Sequence, residues 1–161
     1  LDKRLHEDGK RIWELAKICT SNQQWETAKR GYDYIIEKGQ KKVYYDAAII
    51  DGMNVEYLSI TLKQNPTREE LLALEQKLAA ANEKYKNTFL NAQIIKNLSS
   101  LKAFYLNKGA DAILVLQNFI EQPGMDNAGK AEFKILLGDM YILTGEIWEA
   151  SLLYSGRKSV V

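Results

Sequence analysis

The stretch LLGDMYILTGEIWEASLLY, Leu136 to Tyr154, decides the fold because its small and aromatic residues recur at helical spacing. Gly138 permits close approach of two helices, Gly145 supplies a turn, and Ala150 makes a contact between helices together with Tyr154. Apolar residues fall three and four positions apart on both sides of Gly145. The stretch therefore predicts two packed antiparallel helices and needs no catalytic role.

The same periodicity continues through the chain and predicts an all-α fold of about eight helices, without strands. Pro, Gly and polar clusters divide these helices into four hairpins, at about 2–39, 43–87, 88–121 and 126–156, with an irregular tail at 155–161. Thr67 and Glu70 form a capping box before the fourth helix, and Asp126 or Asn127 can cap the seventh. The polar residues 20–22 can cap the second helix.

Composition indicates one soluble globular domain of 161 residues, 46% hydrophobic and 27% charged. The 22 basic and 21 acidic residues leave a net charge of +1, which argues against nucleic-acid binding. The basic residues Lys38, Lys41 and Lys42 follow a helix C-terminus, where cations complement the helix dipole. No apolar run is long enough for direct membrane insertion.

The residues that most often carry chemistry are sparse. His6 is the only histidine and has no second ligand at a fixed spacing, and the single cysteine, Cys19, lies on an apolar helical stripe. Glu69 and Glu70 belong to a first helical turn, where the helix dipole favours acidic residues, so they need no catalytic role. We expect Glu75 to face water. The sequence thus predicts no catalytic residue, no metal site and no cofactor.

The segment Leu137-Gly138-x-x-Tyr141-x-x-x-Gly145-x-x-x-x-Ala150-x-x-x-Tyr154 resembles the tetratricopeptide (TPR) repeat. The pair Tyr105 and Gly109 repeats Tyr141 and Gly145 at an offset of 36, close to the TPR period of about 34. In the first hairpin, Cys19 and Gln23 replace the tyrosine and the turn glycine. Further matching positions are Leu15, Ala16, Ala28, Tyr32, Ala81, Tyr85 and Leu101.

The resemblance implies an α-α superhelix whose groove, lined by the first helices of the hairpins, binds a protein or peptide. It implies a non-enzymatic scaffold similar to long TPR proteins of Gram-negative bacterial envelopes, in the periplasm or alternatively the cytoplasm. The chain lacks the Lys and Asn pattern of chaperone-binding TPR domains. The implied groove residues are Lys10, Trp13, Glu14, Lys17, Lys96, Ser99, Ser100, Glu132, Ile135 and Asp139.

Two other functions stay open at this point: a helical small-molecule-binding domain or enzyme, and a purely structural spacer. The last helix adds a further expectation, because stacked arrays normally end in a helix with a polar outer face. Here the apolar residues Ile147, Trp148 and Leu152 precede only SGRKSVV. We therefore expect either a longer array or self-association through the C-terminal helix.

Overall fold

The computed structural model describes the backbone of residues 2–88 and 90–155, and the side chains in these ranges from Gly9 onward. His6 and the tail after Ser155 therefore lie outside the described side chains. The described residues form eight α-helices and no strand, which confirms the all-α prediction. The helices are α1 (Asp2–Ser21), α2 (Trp25–Glu37), α3 (Tyr45–Thr61), α4 (Arg68–Lys84), α5 (Asn91–Ser100), α6 (Gly109–Ile120), α7 (Asn127–Thr144) and α8 (Ile147–Ser155).

The helices fall into two compact units, residues 1–70 and 71–161. In the first unit, α1 packs on α2 and α2 packs on α3. In the second unit, α5, α6, α7 and α8 pack successively along the chain. The predicted hairpin at 43–87 crosses the boundary between the units, so that hairpin and the single domain stay predictions.

Each unit has its own apolar core. In the first, Ala28 and Tyr32 on α2 are almost fully buried together with Ala16 on α1. In the second, the rings of Phe119 and Phe133 pack in a tilted arrangement at a centroid distance of 4.6 Å, beside the buried Met140, Leu116 and Ala150. Of these positions, Ala16, Ala28, Tyr32 and Ala150 are ones that the sequence pattern marks as packing contacts between helices.

Two helix starts have the caps that the sequence predicts. The backbone N–H of Glu70 donates to Thr67 Oγ1 at 3.1 Å, and the N–H of Thr67 donates to Glu70 Oε2 at 3.0 Å, which confirms the capping box. Asp126 caps α7 by accepting a bond from the Gly129 N–H at 2.7 Å. The predicted cap of α2 is wrong, because the Thr20 and Ser21 hydroxyls donate to carbonyls within α1.

A π-helical turn, Leu101–Tyr105, follows α5 and shifts the register of the third hairpin. Here the Leu106 N–H donates to the Leu101 carbonyl, five residues back, at 3.1 Å. Asn107 then adopts the left-handed conformation, with φ of 56°, and ends the helix. The turn is therefore made by Asn107 and not by Gly109, which is the first residue of α6.

Three hairpins can be aligned at the residue that ends the turn between their two helices in the left-handed conformation. These residues are Gln23, Asn107 and Gly145, with φ of 58°, 56° and 85°. Five residues after each lies an alanine that is at most 2% exposed: Ala28, Ala112 and Ala150. The offset between the last two hairpins is therefore 38 at these positions. The predicted offset of 36, which paired Tyr105 with Tyr141, is corrected.

Exposure supports the corrected register. Tyr105 is 39% exposed, whereas Tyr141 is buried. Before the π-helical turn, the pair Leu98-Ser99 is buried like Leu137-Gly138, at an offset of 39. The extra residue in the turn accounts for the difference between 39 and 38. In the first hairpin, Leu15 is 58% exposed, so its predicted packing role is wrong, whereas Ala16 is buried.

Candidate functional site

The candidate site is a cleft of about 180 Å³ in the second unit, between α5 and α7. Lys96 comes from α5, and the other lining residues come from α7: Glu132, Phe133, Ile135, Leu136 and Asp139. The structure thus brings together four residues of the predicted groove, namely Lys96, Glu132, Ile135 and Asp139. The cleft combines an apolar floor with a charged rim.

The cleft follows one face of α7 because of helical periodicity. Glu132, Ile135, Leu136 and Asp139 occupy positions i, i+3, i+4 and i+7, which share one side of a helix. The adjoining side of α7 buries Phe133, Leu137 and Met140 in the core. The helix therefore holds the cleft residues on a rigid scaffold.

The two carboxylates of the cleft have different partners. Lys96 Nζ forms an ion pair with Glu132 across the cleft. Tyr154, on α8, donates its hydroxyl to Asp139 Oδ1 at 2.5 Å. This bond to a carboxylate raises the pKa of Tyr154 to about 12, because deprotonation would place two negative charges side by side. With one lysine and two carboxylates, the lining carries a formal charge of −1.

Gly138 allows Tyr154 to reach Asp139. A Cβ atom at Gly138 would lie 2.8 Å from Cζ of the Tyr154 ring, closer than real Cβ contacts. The ring therefore lies against the bare backbone of α7, and its hydroxyl extends to the next residue. The small and aromatic residues of this hairpin thus position one rim of the cleft.

The predicted groove residues on α1 lie in the first unit, where two of them, Trp13 and Lys17, interact with the half-buried carboxylate of Asp51. Trp13 Nε1 donates to Asp51 Oδ2 at 2.7 Å, and Lys17 Nζ lies 4.4 Å from the Trp13 ring centroid. The Tyr44 ring lies 5.4 Å from that of Trp13. Burial raises the pKa of Asp51, and the Trp13 bond and the Lys17 charge oppose this change.

The polar groups of this α1 cluster bond to one another. Lys10 and Glu14 add an exposed ion pair one turn apart, at 3.8 Å, which is typical of a solvated helix face. The arrangement fixes Trp13 against α3 and stabilises the unit. Sequence reasoning missed Asp51, because no periodic pattern marks which residue of α3 faces Trp13.

One predicted groove residue is wrong. Ser99 is fully buried, and its hydroxyl donates to the Ile95 carbonyl at 2.7 Å. The corrected register explains this, because Ser99 takes the place of the packing residue Gly138. Ser100, which corresponds to Asp139, is half-buried.

A second cluster of charges in the same unit was also not predicted. Glu75 is buried rather than facing water, and accepts bonds from Lys102 Nζ at 2.7 Å and Lys108 Nζ at 2.6 Å. Burial raises the pKa of Glu75, but the two ammonium groups outweigh burial and lower it overall. A carboxylate held ionised between two lysines joins α4 to the π-helical turn through Lys102 and to the start of α6 through Lys108.

Other candidate chemistry is limited in the described residues. Cys19 is buried in the core, consistent with a small apolar residue. From Gly9 to Ser155, leaving out residue 89, no three His, Cys, Asp or Glu side chains are grouped to hold a metal ion. No described helix combines the length and the apolar character that crossing a membrane requires.

The sequence contains a signal for the cleft that our prediction did not use. Glu132 and Asp139 are seven residues apart, and an apolar pair, Ile135-Leu136, lies between them. Such a pattern identifies one face of a helix from the sequence alone.

No protein-family model matches the chain, and no significant match to it is found among curated proteins or solved structures.

Proposed function

We propose that the chain is a non-enzymatic, TPR-like binding module that accepts a protein or peptide partner in the cleft between α5 and α7. The observation that carries the proposal is the lining of this cleft, where Ile135 and Leu136 form an apolar floor within a charged rim. Apolar centres with polar rims are typical of protein–protein contacts. The TPR resemblance implies a partner-binding groove on the same faces of α5 and α7.

The size of the cleft favours a side chain of a partner over a metabolite. Pockets for drug-sized ligands measure about 300 to 1,000 Å³, whereas this cleft measures about 180 Å³. A volume of this size suits one or two bulky side chains, as at an interface hot spot. A small-molecule carrier or enzyme is therefore the less favoured function.

A binding experiment with matched variants tests the proposal. The wild-type chain and an Ile135→Lys variant are used as baits in extracts of the native organism, and the captured proteins are identified by mass spectrometry. Leu114→Lys is the control, because Leu114 is exposed on α6 and does not line the cleft. Circular dichroism establishes that both variants are folded.

We expect a specific partner that wild type and Leu114→Lys capture and that Ile135→Lys loses. A thermal-shift screen against metabolites provides the opposite outcome. A strong stabilisation by a small molecule, with no protein captured by the wild-type chain, would refute the proposal.

A further inference from the structure

The face of α7 that lines the cleft continues beyond it as a stripe with a seven-residue repeat. The acidic residues Glu132 and Asp139 alternate with the apolar pairs Ile135-Leu136 and Ile142-Leu143. Ile142 and Leu143 are 50% and 53% exposed, so the second apolar pair is open to a partner. We refer to residues 132, 135, 136, 139, 142 and 143 as the α7 stripe.

The spacing of the α7 stripe distinguishes a helical partner from an extended one. Seven residues of α-helix span about 10.5 Å, so equivalent residues of the stripe recur at that distance. A partner helix with a seven-residue apolar repeat has the same spacing and stays in register over both pairs. Side chains on one face of a strand recur every 6.6 Å or so, which does not match.

The charge of the α7 stripe indicates the sign of the charge on the partner. Lys96 pairs with Glu132, which leaves Asp139 at the centre of the stripe with a neutral partner, the Tyr154 hydroxyl. A carboxylate has lone pairs beyond the one that Tyr154 uses. The lysines of α7, Lys130 and Lys134, lie roughly 160° to 200° around the helix from Glu132.

We propose, building on the function proposed above, that the partner is an amphipathic α-helix whose apolar residues repeat every seven positions and whose Lys or Arg pairs with Asp139. The two apolar pairs of the stripe receive the apolar residues of the partner, and Asp139 receives its cation. Helix-in-groove recognition of this kind uses anchors at i, i+3 or i+4, and i+7.

Synthetic peptides test this partner class. The probe is a fluorescein-labelled peptide of three heptads, with Leu at the first and fourth positions, Lys at the fifth, and Ala or Gln elsewhere. One control peptide replaces each Lys with Glu, and another scrambles the probe sequence. Binding to the full chain is measured by fluorescence anisotropy, and helix formation on binding by circular dichroism.

We expect the Lys peptide to bind as a helix and about fivefold to tenfold more tightly than the Glu peptide, since attraction to Asp139 is replaced by repulsion. Asp139→Asn should weaken Lys-peptide binding about twofold to fivefold and leave Glu-peptide binding no weaker. Ile142→Ser with Leu143→Ser should weaken both, whereas the exposed control Leu114→Ser should weaken neither.

Equal binding of the scrambled peptide would overturn the helical partner, and equal binding of the Lys and Glu peptides would overturn the role of Asp139. If no peptide binds, this inference is wrong. The function proposed above is then still judged separately, by whether Ile135→Lys loses a partner that the wild-type chain captures.

Discussion

Replacing Glu75 with Gln should destabilise the second unit more than any surface change on the same helix. The Glu75 side chain is 11% exposed, and those of Lys102 and Lys108 are 16% and 34% exposed. Removing the carboxylate leaves two lysines close together, and among the described side chains Lys102 then keeps the exposed Asp111, 4.0 Å away, as a counter-charge. The structure therefore predicts an uncompensated, partly buried positive charge.

The magnitude follows from the burial of the three groups. Removing one partner of a fully buried ion pair costs about 3 to 5 kcal/mol. Lys108 is a third exposed and its long stem can carry its ammonium group to water, which reduces the cost. We therefore expect a loss of about 2 to 3 kcal/mol in the free energy of unfolding for Glu75→Gln at neutral pH.

Urea denaturation followed by circular dichroism measures this loss. Glu83→Gln is the matched control on α4, because the Glu83 side chain is 74% exposed and lies 3.9 Å from Lys86. Surface pairs of this kind are worth at most about 1 kcal/mol. A Glu75→Gln variant no less stable than Glu83→Gln would refute the reasoning.

The effect should also depend on pH. The folded pKa of Glu75 lies below its ordinary value of 4.5, so its ionisation contributes stability that is fully present above that value. The contribution is lost as pH falls through the folded pKa. The stability difference between wild type and Glu75→Gln should therefore be constant near neutral pH and shrink below about 4.5.

Three further predictions concern other contacts. Thr67→Ala should cost about 1 kcal/mol of stability by removing the Oγ1 bond of the capping box. NMR titration should then show only a small rise in the pKa of Glu70 from about 2, because the bonds from Lys63 and from the backbone N–H of residue 67 remain. Gly138→Ala should cost about 1 to 3 kcal/mol in urea denaturation, because its Cβ would overlap the Tyr154 ring; unchanged stability would contradict this close approach. NMR titration with the ring signals of Tyr154 assigned should give this residue a pKa of about 12, which Asp139→Asn lowers, whereas an equally high value in the variant would show that the bond is not the cause.

The helices could be predicted because apolar, small and aromatic residues recur in this sequence at helical spacing. Two helix starts could be predicted because capping side chains bind backbone groups only a few residues away: the starts at Thr67 with Glu70, and at Asp126. Local interactions of this kind are written in contiguous sequence. The eight helices and their order were therefore predictable.

The misplaced residues depended on interactions that contiguous sequence does not display. The helical pattern of α4 predicts a solvent-facing Glu75, and this is wrong because the burial of Glu75 depends on Lys102 and Lys108, which follow it by 27 and 33 residues. The predicted offset of 36 places Ser99 in register with Ile135 of the groove, whereas the offset of 39 that holds before the π-helical turn places it in register with Gly138. The extra residue in the turn accounts for one of these three residues, and a three-residue difference rotates a position by about 60° around the helix, which exchanges a groove position for a packing position.

The π-helical turn has a consequence for how the length of this chain can vary. Insertions are ordinarily accommodated in surface loops, where they disturb little. Here, one additional residue lies inside a helix, between Leu101 and Leu106. The helical segments before and after it keep their packing contacts. A related hairpin that is one residue shorter could form the same contacts with an ordinary α-helical turn. A sequence alignment of such hairpins should therefore allow gaps within helices as well as between them.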